Sequence, residues 1–456
     1  MDITEIIEKQ KNFFKSGKTL DVAFRYRALE GLERAVKNHE KEVLDALKKD
    51  LGKSEQEAFM CEYGLSLSEL NHMKKHLKSY ARVRRAKTPL TNFPAVSHVY
   101  KVPYGNVLIM SPWNYPILLT MEPLIDAIAA GNTAVVKPSA YSPNTSLVIK
   151  SIIEEAFDPE YVSVTLGGRA ENQKLLDEKF DYIFFTGSQK VGSEVMQKAA
   201  VHLTPVTLEL GGKSPCIIDK DADIKLAAKR VVFGKYLNVG QTCVAPDYIL
   251  CHKAVKTKFL QAVKNEIEKQ FPDVFSEGSG YGKIINEKHF DRLMGFIDKD
   301  KLFIGGKSDR EKLKIEPTVL DNVTMDDAIM KEEVFGPLMP IMEFEDLDKV
   351  LDSIDDMPHP LAFYYFTNDL KKAKRVVKKC RFGGGCINDT IIHIATSDMP
   401  FGGGGASGMG NYHGKAGFDT FSHSKSIVDK KRLIDVNMRY SPYDNFKLKL
   451  IKLFLK

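Results

Sequence analysis

An α/β fold is predicted: an open, doubly wound parallel sheet, a second α/β unit after it and a small extended arm. Two observations predict it. From Asn106 to Leu210, apolar runs at Asn106–Met110, Thr133–Lys137, Tyr161–Leu166, Tyr182–Phe185 and Val206–Leu210 alternate with helical patterns at Ile117–Ala130, Thr145–Ala156, Glu171–Glu178 and Gln189–Ala200. Continuous apolar runs read as strands buried on both faces, and the alternation reads as a parallel sheet covered by helices. After Gly211 the alternation resumes, with Cys216–Asp219, a helix at Ile224–Tyr236, a strand at Tyr248–Cys251 and helices at Lys253–Lys269 and His289–Lys299. At 456 residues, 43 % of them hydrophobic, the chain is too long for a single core, so two or three domains are expected.

Residues 1–87 read as long charged helices, with Val22, Phe24, Leu29, Leu32, Ala35 and Val36 at three- and four-residue spacings. This is scaffold rather than chemistry. His72 and His76 lie one helical turn apart without a third ligand or an H-E-x-x-H pattern, so no metal is expected. Between Pro89 and Pro103 the chain becomes Pro-punctuated and alternating (Val96, His98 and Tyr100 against Ser97, Val99 and Lys101), which fits an arm or hairpin leaving the body. A net charge of +6, from 66 basic and 60 acidic residues spread throughout, implies no nucleic-acid face. Six scattered cysteines without C-x-x-C pairs fit a reducing compartment. With no apolar leader at Met1–Gln10 and no run of 18 apolar residues, a cytoplasmic location without a transmembrane segment is expected.

In such a sheet ligands sit outside the carboxyl ends of the strands, so the loops there carry the candidates. After the first strand, Ser111-Pro112-Trp113-Asn114-Tyr115-Pro116 holds an asparagine amide able to donate to an oxyanion, or to cap a turn. Lys137-Pro138-Ser139 places a cation and a hydroxyl at the second strand end, where ribose or phosphate oxygens could meet them. Phe185-Thr186-Gly187-Ser188-Gln189-Lys190-Val191-Gly192 runs from strand to helix and offers an N-terminus to a phosphate. A literal G-x-G-x-x-G at Gly403, Gly405 and Gly408 follows no strand and is read as a flexible glycine loop. Glu209, between two leucines before Gly211-Gly212, is either a desolvated general base or a structural ion-pair partner. Cys243, in Tyr236–Pro246, sits among small and polar neighbours: a nucleophilic sulfur, or a small buried hydrophobe. Glu333 and Phe335 stand two residues apart at a turn: they could hold a ribose diol and pack on a nicotinamide ring, or form an ordinary acidic helix end. Asp419–Val428 reads as a returning strand, and the ending Phe446–Lys456 alternates lysine with apolar residues. That tail either docks on the body or a partner subunit, or lies at a membrane surface.

The tracts S-P-W-N-Y-P, F-T-G-S, L-E-L-G-G-K-S-P, N-V-G-Q-T-C-V-A-P, E-E-V-F-G-P and P-F-G-G-G-G-A-S-G-M-G-N-Y-H-G occur in this order. Over nearly its whole length the chain resembles the aldehyde dehydrogenase superfamily, and most of all its class 3 branch. The resemblance implies the aldehyde dehydrogenase fold: a Rossmann-like NAD(P)-binding domain over 1–209 with an oligomerisation arm near 88–103, and a catalytic α/β domain over 210–394. A return segment with an oligomerisation strand over 395–435 and a tail over 436–456 complete it. It implies that Cys243 adds to an aldehyde, that the Asn114 amide and the Cys243 N–H hold the oxyanion, and that Glu209 activates water against the thioester. Lys137, Ser139, Gly187, Ser188, Gly192, Glu333 and Phe335 would hold NAD or NADP. Trp113, Tyr115, Phe233, Ile391, Phe401 and His413 would line an apolar tunnel for medium-chain aliphatic or aromatic aldehydes. A homodimer is implied.

One departure concerns the cofactor. Many relatives carry a glutamate three positions after the K-P-S lysine; here Ala140 stands, so NADP should be accepted, with Arg169 a candidate phosphate partner. The rival readings are a CoA-acylating aldehyde dehydrogenase, against which Glu209 argues, and a catalytically silent member used as a binding protein.

Overall fold

A computed structural model describes residues 2–432 and 434–455. Two large sheets organise it. The first has six strands in the order Gly408–Met409, Val206–Leu210, Tyr182–Gly187, Asn106–Met110, Thr133–Lys137 and Val162–Val164; all pairs are parallel except the first. The five strands before residue 211 are those predicted. Only the run Tyr161–Leu166 shortens, to Val162–Val164. The second sheet has seven strands, in the order Leu302–Ile304, Thr318–Leu320, Leu338–Phe344, Tyr248–His252, Pro215–Ile218, Ala362–Phe366 and Gly384–Ile387. It is parallel but for its first pair.

The central strands are buried along their full length because helices cover both faces. Helix Leu118–Ala130 shows the consequence most clearly: it is apolar around nearly its whole circumference and all but one of its residues are buried. Gln189–Val201 and Pro143–Ala156 are one-sided by comparison and keep a wet face.

The N-terminal region is helical as expected: Ile3–Lys15, Val22–Asn38, Glu40–Leu51, Glu55–Ala58 and Gly64–Tyr80. Between the last two the chain takes a π-helical turn, Phe59–Tyr63, which nothing in the spacing signalled. His72 and His76 stack at 4.5 Å, and His72 Nε2 lies 2.9 Å from the Tyr80 hydroxyl. Among the described residues, no group of three His, Cys, Asp or Glu could hold a metal ion.

The predicted arm is a three-stranded antiparallel sheet of Arg84–Ala86, Ala95–Pro103 and Ser422–Lys430, the last two in register over nine residues. The returning strand therefore starts three residues later than read, because Gly414–Thr420 is helical. Likewise the helix expected at His289–Lys299 runs Glu287–Met294, started by the Asn286 side chain, which accepts from His289 N at 2.9 Å.

The glycine-rich loop needs a correction. Expected as flexible, it is packed into the sheet: Gly408 pairs with Glu209, at φ +142°, and a Cβ there would stand 2.1 Å from Leu208 O. Its glycines permit close backbone approach rather than motion. The tail forms a helix, Asn445–Phe454, capped by Asp444 accepting from Lys447 N at 2.7 Å. No helix among the described residues is long and apolar enough to cross a membrane.

Candidate active site

Cys243 follows three consecutive left-handed residues, Asn238 (φ +51°), Val239 (φ +56°) and Gly240 (φ +73°). For a β-branched residue that conformation is strained, and it persists only where the surroundings over-determine it. They do. The Asn238 side chain donates to Asn114 O at 2.8 Å and to Gln241 O at 3.0 Å, and Gln241 donates to Lys283 O at 3.0 Å while accepting from Ile285 N at 3.0 Å. A Cβ on Gly240 would stand 2.2 Å from Gly336 O, so the cysteine loop is pressed against the E-E-V-F-G-P turn.

The backbone N–H groups of Cys243 and Val244 favour the thiolate form of the Cys243 sulfur. The thiol is half-buried, and burial pushes it up to about 12, with the charges of Glu333 and Glu209 acting the same way. Asn114 is buried, and its Nδ2 donates to Gln241 O at 3.1 Å, which places the carboxamide beside the cysteine loop. Tyr115 continues the contact through its hydroxyl, 2.7 Å from Thr242 Oγ1.

Glu209 is 3 % exposed, neither carboxylate oxygen has a partner, and burial raises it well above the usual carboxylate range. A structural ion pair is therefore absent at this residue. Glu333, by contrast, is engaged. Its carboxylate packs where a Cβ on Gly211 would stand and accepts from Gly212 N–H, while burial and then Asp247 push it up to about 8. Around it three motifs interlock. Lys213 donates to Asp247, to Ile329 O at 3.1 Å and to Glu332 O at 2.9 Å; Asp247 accepts from Val334 N at 2.8 Å; Arg292 donates to Glu333 O at 3.1 Å and Val334 O at 2.7 Å. Phe335, at φ +46°, meets Trp113 edge-on at 5.4 Å, so Trp113 lies on the Phe335 side of the site.

The remaining cofactor candidates line the strand ends of the six-stranded sheet. Lys137 is buried and donates to Pro138 O at 2.8 Å and Gly167 O at 2.7 Å, which leaves one of its three N–H bonds; burial pushes it down to about 8. Ser139 accepts from Tyr141 N at 3.2 Å, and Ala140 is exposed beside it. Ser188 Oγ accepts from Val191 N at 3.4 Å and caps helix Gln189–Val201, whose first residues are exposed. A Cβ on Gly192 would stand 2.6 Å from Leu210 Cδ2 and one on Gly187 2.6 Å from Phe185 Cζ, so both glycines serve close helix-to-strand packing. The set fits a dinucleotide: an exposed helix N-terminus, a lysine with a free N–H, and an open turn at Gly168, where an added Cβ would meet nothing within 4 Å. Sequence reasoning missed Glu171. Its carboxylate accepts from Gly168 N at 2.7 Å and its charge acts on Lys137, so the lysine retains an acidic neighbour despite Ala140. Arg169, the first residue of helix Arg169–Asp177, is exposed.

Of the six tunnel candidates, Ile391 and Phe401 share the main apolar core, with Trp113 packed against it. Tyr115 packs with Cys61 and Leu118, Ile391 (6 % exposed) lies against helix Ile224–Tyr236, and Phe233 on that helix is 36 % exposed. Phe401 stacks on His413 at 5.4 Å. His413 is also a structural ligand. Burial opposes its charge, yet Glu122, 3.3 Å from Nε2, raises its pKa overall, within a buried cluster that includes Glu69 and Asp126.

The strand-end Asn114 of a parallel α/β sheet thus meets a strained loop that carries a half-buried thiol. The sequence profile of the aldehyde dehydrogenase family matches residues 1–427, and the chain belongs to that family, in its class 3 branch. It is 47 % identical over 448 residues to a 4,4′-diaponeurosporen-aldehyde dehydrogenase of Staphylococcus aureus, covering 98 % of this chain and 97 % of that protein. It is 41 % identical over 443 residues to a dimeric, NADP-preferring aldehyde dehydrogenase of Canis lupus familiaris, covering 96 % and 98 %. Among solved structures, the substrate-bound state of Staphylococcus aureus AldH superposes with a TM-score of 0.97 at 46 % identity, covering all of both chains. The protein is an NAD(P)-dependent aldehyde dehydrogenase that works through a cysteine.

Proposed function

We propose that Cys243 is the nucleophile, Asn114 and the Cys243 N–H the oxyanion donors, and Glu209 the base of hydrolysis. The observation that carries this reading is the convergence of three motifs: the Asn114 amide lies on the cysteine loop, and the unpaired Glu209 carboxylate acts on the sulfur. The Cys243 thiol releases its proton to solvent, and as thiolate its sulfur adds to the aldehyde carbon. The resulting alkoxide is held by the Asn114 Nδ2–H and the Cys243 N–H, a stabilisation whose loss typically costs roughly 3 to 4 kcal/mol. The nicotinamide, when bound, supplies the hydride acceptor that turns this thiohemiacetal into a thioester. Glu209, ionised, takes a proton from water as the oxygen attacks the thioester carbon, and the carboxylic acid leaves as the thiol reforms.

Lys137, Ser139, Ser188, Glu333 and Phe335 would hold the cofactor, with Gly187 and Gly192 shaping its phosphate turn. Ala140 and the exposed Arg169 support use of NADP at least as well as NAD. The apolar groups around Tyr115, Ile391 and Phe401 support medium-chain aliphatic or aromatic aldehydes, and the S. aureus relative's name adds 4,4′-diaponeurosporen-aldehyde to the series to be assayed. An aldehyde panel with each cofactor tests this: reduced cofactor should accumulate with both, and Ala140→Glu should lower only the NADP rate. A strong NAD preference unchanged by Ala140→Glu contradicts it.

Two wider readings complete the proposal. The arm strand Ser422–Lys430 is a sheet edge with Ile427 and Val428 exposed, the kind of edge another chain covers, and a dimeric relative exists, so a homodimer is the expected assembly. Sedimentation equilibrium should give the mass of two chains; the mass of one contradicts it. Six free cysteines fit a cytoplasmic location.

A further inference from the structure

The helical N-terminal region, which the sequence marks as scaffold, reaches the candidate active site through a buried ion pair. Lys53 and Glu62 have side chains that are 0 % exposed, and their charged atoms lie 2.5 Å apart. Both touch the Asn114 loop. Lys53 Nζ donates to Asn114 O at 3.0 Å and sits 4.0 Å from the centre of the Tyr115 ring. Glu62 Oε2 accepts from Ile117 N at 2.9 Å and from Leu118 N at 3.4 Å, the amides that open helix Leu118–Ala130. One partner therefore grips the loop at Asn114 and the other grips its exit three residues on.

The way the pair is delivered argues against simple packing. Glu62 lies in the π-helical turn Phe59–Tyr63, and such turns are costly local irregularities that cluster at functional sites. Lys53 lies just after helix Glu40–Leu51, beyond Gly52 at φ +70°. A neighbouring carboxylate works in parallel: Glu57 Oε1 accepts from Asn238 N at 2.8 Å, and the Asn238 side chain supplies the second donor to Asn114 O. A buried ion pair is by itself weak support for stability, since apolar replacements of the same shape often fold as well. What this pair does do is fix the backbone on both sides of a carboxamide.

We propose that Lys53 and Glu62 are positioning residues for the oxyanion step, holding the Asn114 loop so that its Nδ2–H meets the alkoxide formed on Cys243. This rests on the reading of Asn114 as an oxyanion donor. Misplacing such a donor by about 1 Å is enough to cost about 100-fold in rate.

The test is a double-mutant cycle read by the pre-steady-state burst of reduced cofactor, with the cofactor dissociation constant measured alongside. Lys53→Met removes the cation; Lys53→Met with Glu62→Gln removes both charges, keeps an acceptor for the Ile117 and Leu118 amides, and serves where the single variant folds poorly. Each is made with Asn114 intact and with Asn114→Ala. With Asn114 present the burst should slow by about 10- to 100-fold, and with Asn114→Ala by less than about threefold, while cofactor affinity is unchanged. Equal slowing in both backgrounds, or none in either, overturns the positioning role. If Asn114→Ala alone leaves the burst untouched, the oxyanion reading itself fails, and the two failures are told apart.

Discussion

The sulfur of Cys243 is held in a paradoxical setting for a nucleophile. Burial and two nearby carboxyl groups, Glu333 and Glu209, all favour the protonated thiol, whose pKa is pushed up to about 12. The N–H groups of Cys243 and Val244 oppose them. In the cofactor-free enzyme the thiolate fraction should therefore climb about tenfold per pH unit through neutrality. Alkylation of Cys243 by iodoacetamide, followed by peptide mass spectrometry, is expected to rise without a plateau between pH 6 and pH 9. A plateau in that range would show a thiolate already formed. Glu209 follows the same sign: with its pKa raised well above 4.5 it is protonated at acidic pH, so deacylation should quicken as pH rises through its ionisation. That dependence should vanish in Glu209→Gln.

Elements place these residues, and some were more legible than others. Strands buried on both faces announce themselves as apolar runs, so Asn106–Met110, Thr133–Lys137 and Val206–Leu210 were read to the residue. The strand Gly408–Met409 was not, because two glycine-flanked residues carry no period; its partner, Leu208–Glu209, lies about 200 residues away in sequence. It caps the edge of the strand that bears Glu209. Gly408→Ala would drive a Cβ into Leu208 O at a φ that alanine disfavours, so a loss of about 1 to 3 kcal/mol is expected. Thermal unfolding should report it, together with slowed turnover and a retained burst; an unchanged melting temperature and turnover would contradict the packing described. The tail helix Asn445–Phe454 exposes Phe446 and Leu453 beside lysines, which leaves both docking and a membrane surface open. Cosedimentation with vesicles containing phosphatidylglycerol separates them: a fall on removal of residues 436–456 assigns the tail to the membrane surface. Equal pelleting with a lost dimer mass would assign the tail to the partner subunit instead.

At the scale of the whole molecule, motif order in the sequence picked out the candidate site residues, while the structure supplied what holds them. Asn114, Glu209 and Cys243 were identifiable because their tracts are distinctive. The Lys53–Glu62 pair was not, because a lysine or glutamate in a charged helical region looks solvated until long-range contacts bury it. For His413, which the resemblance placed at a tunnel wall, the structure adds a buried partner, Glu122. The fold thus brings an N-terminal helical pair, a sheet-end asparagine and a strained cysteine loop to one place. The most direct test of that convergence is the mass of Glu209→Gln enzyme quenched after mixing with cofactor and a reactive aldehyde. The account requires one acyl group per chain, mapped to Cys243, formed together with a burst of one equivalent of reduced cofactor. No adduct, or an adduct on another of the six cysteines, would contradict it.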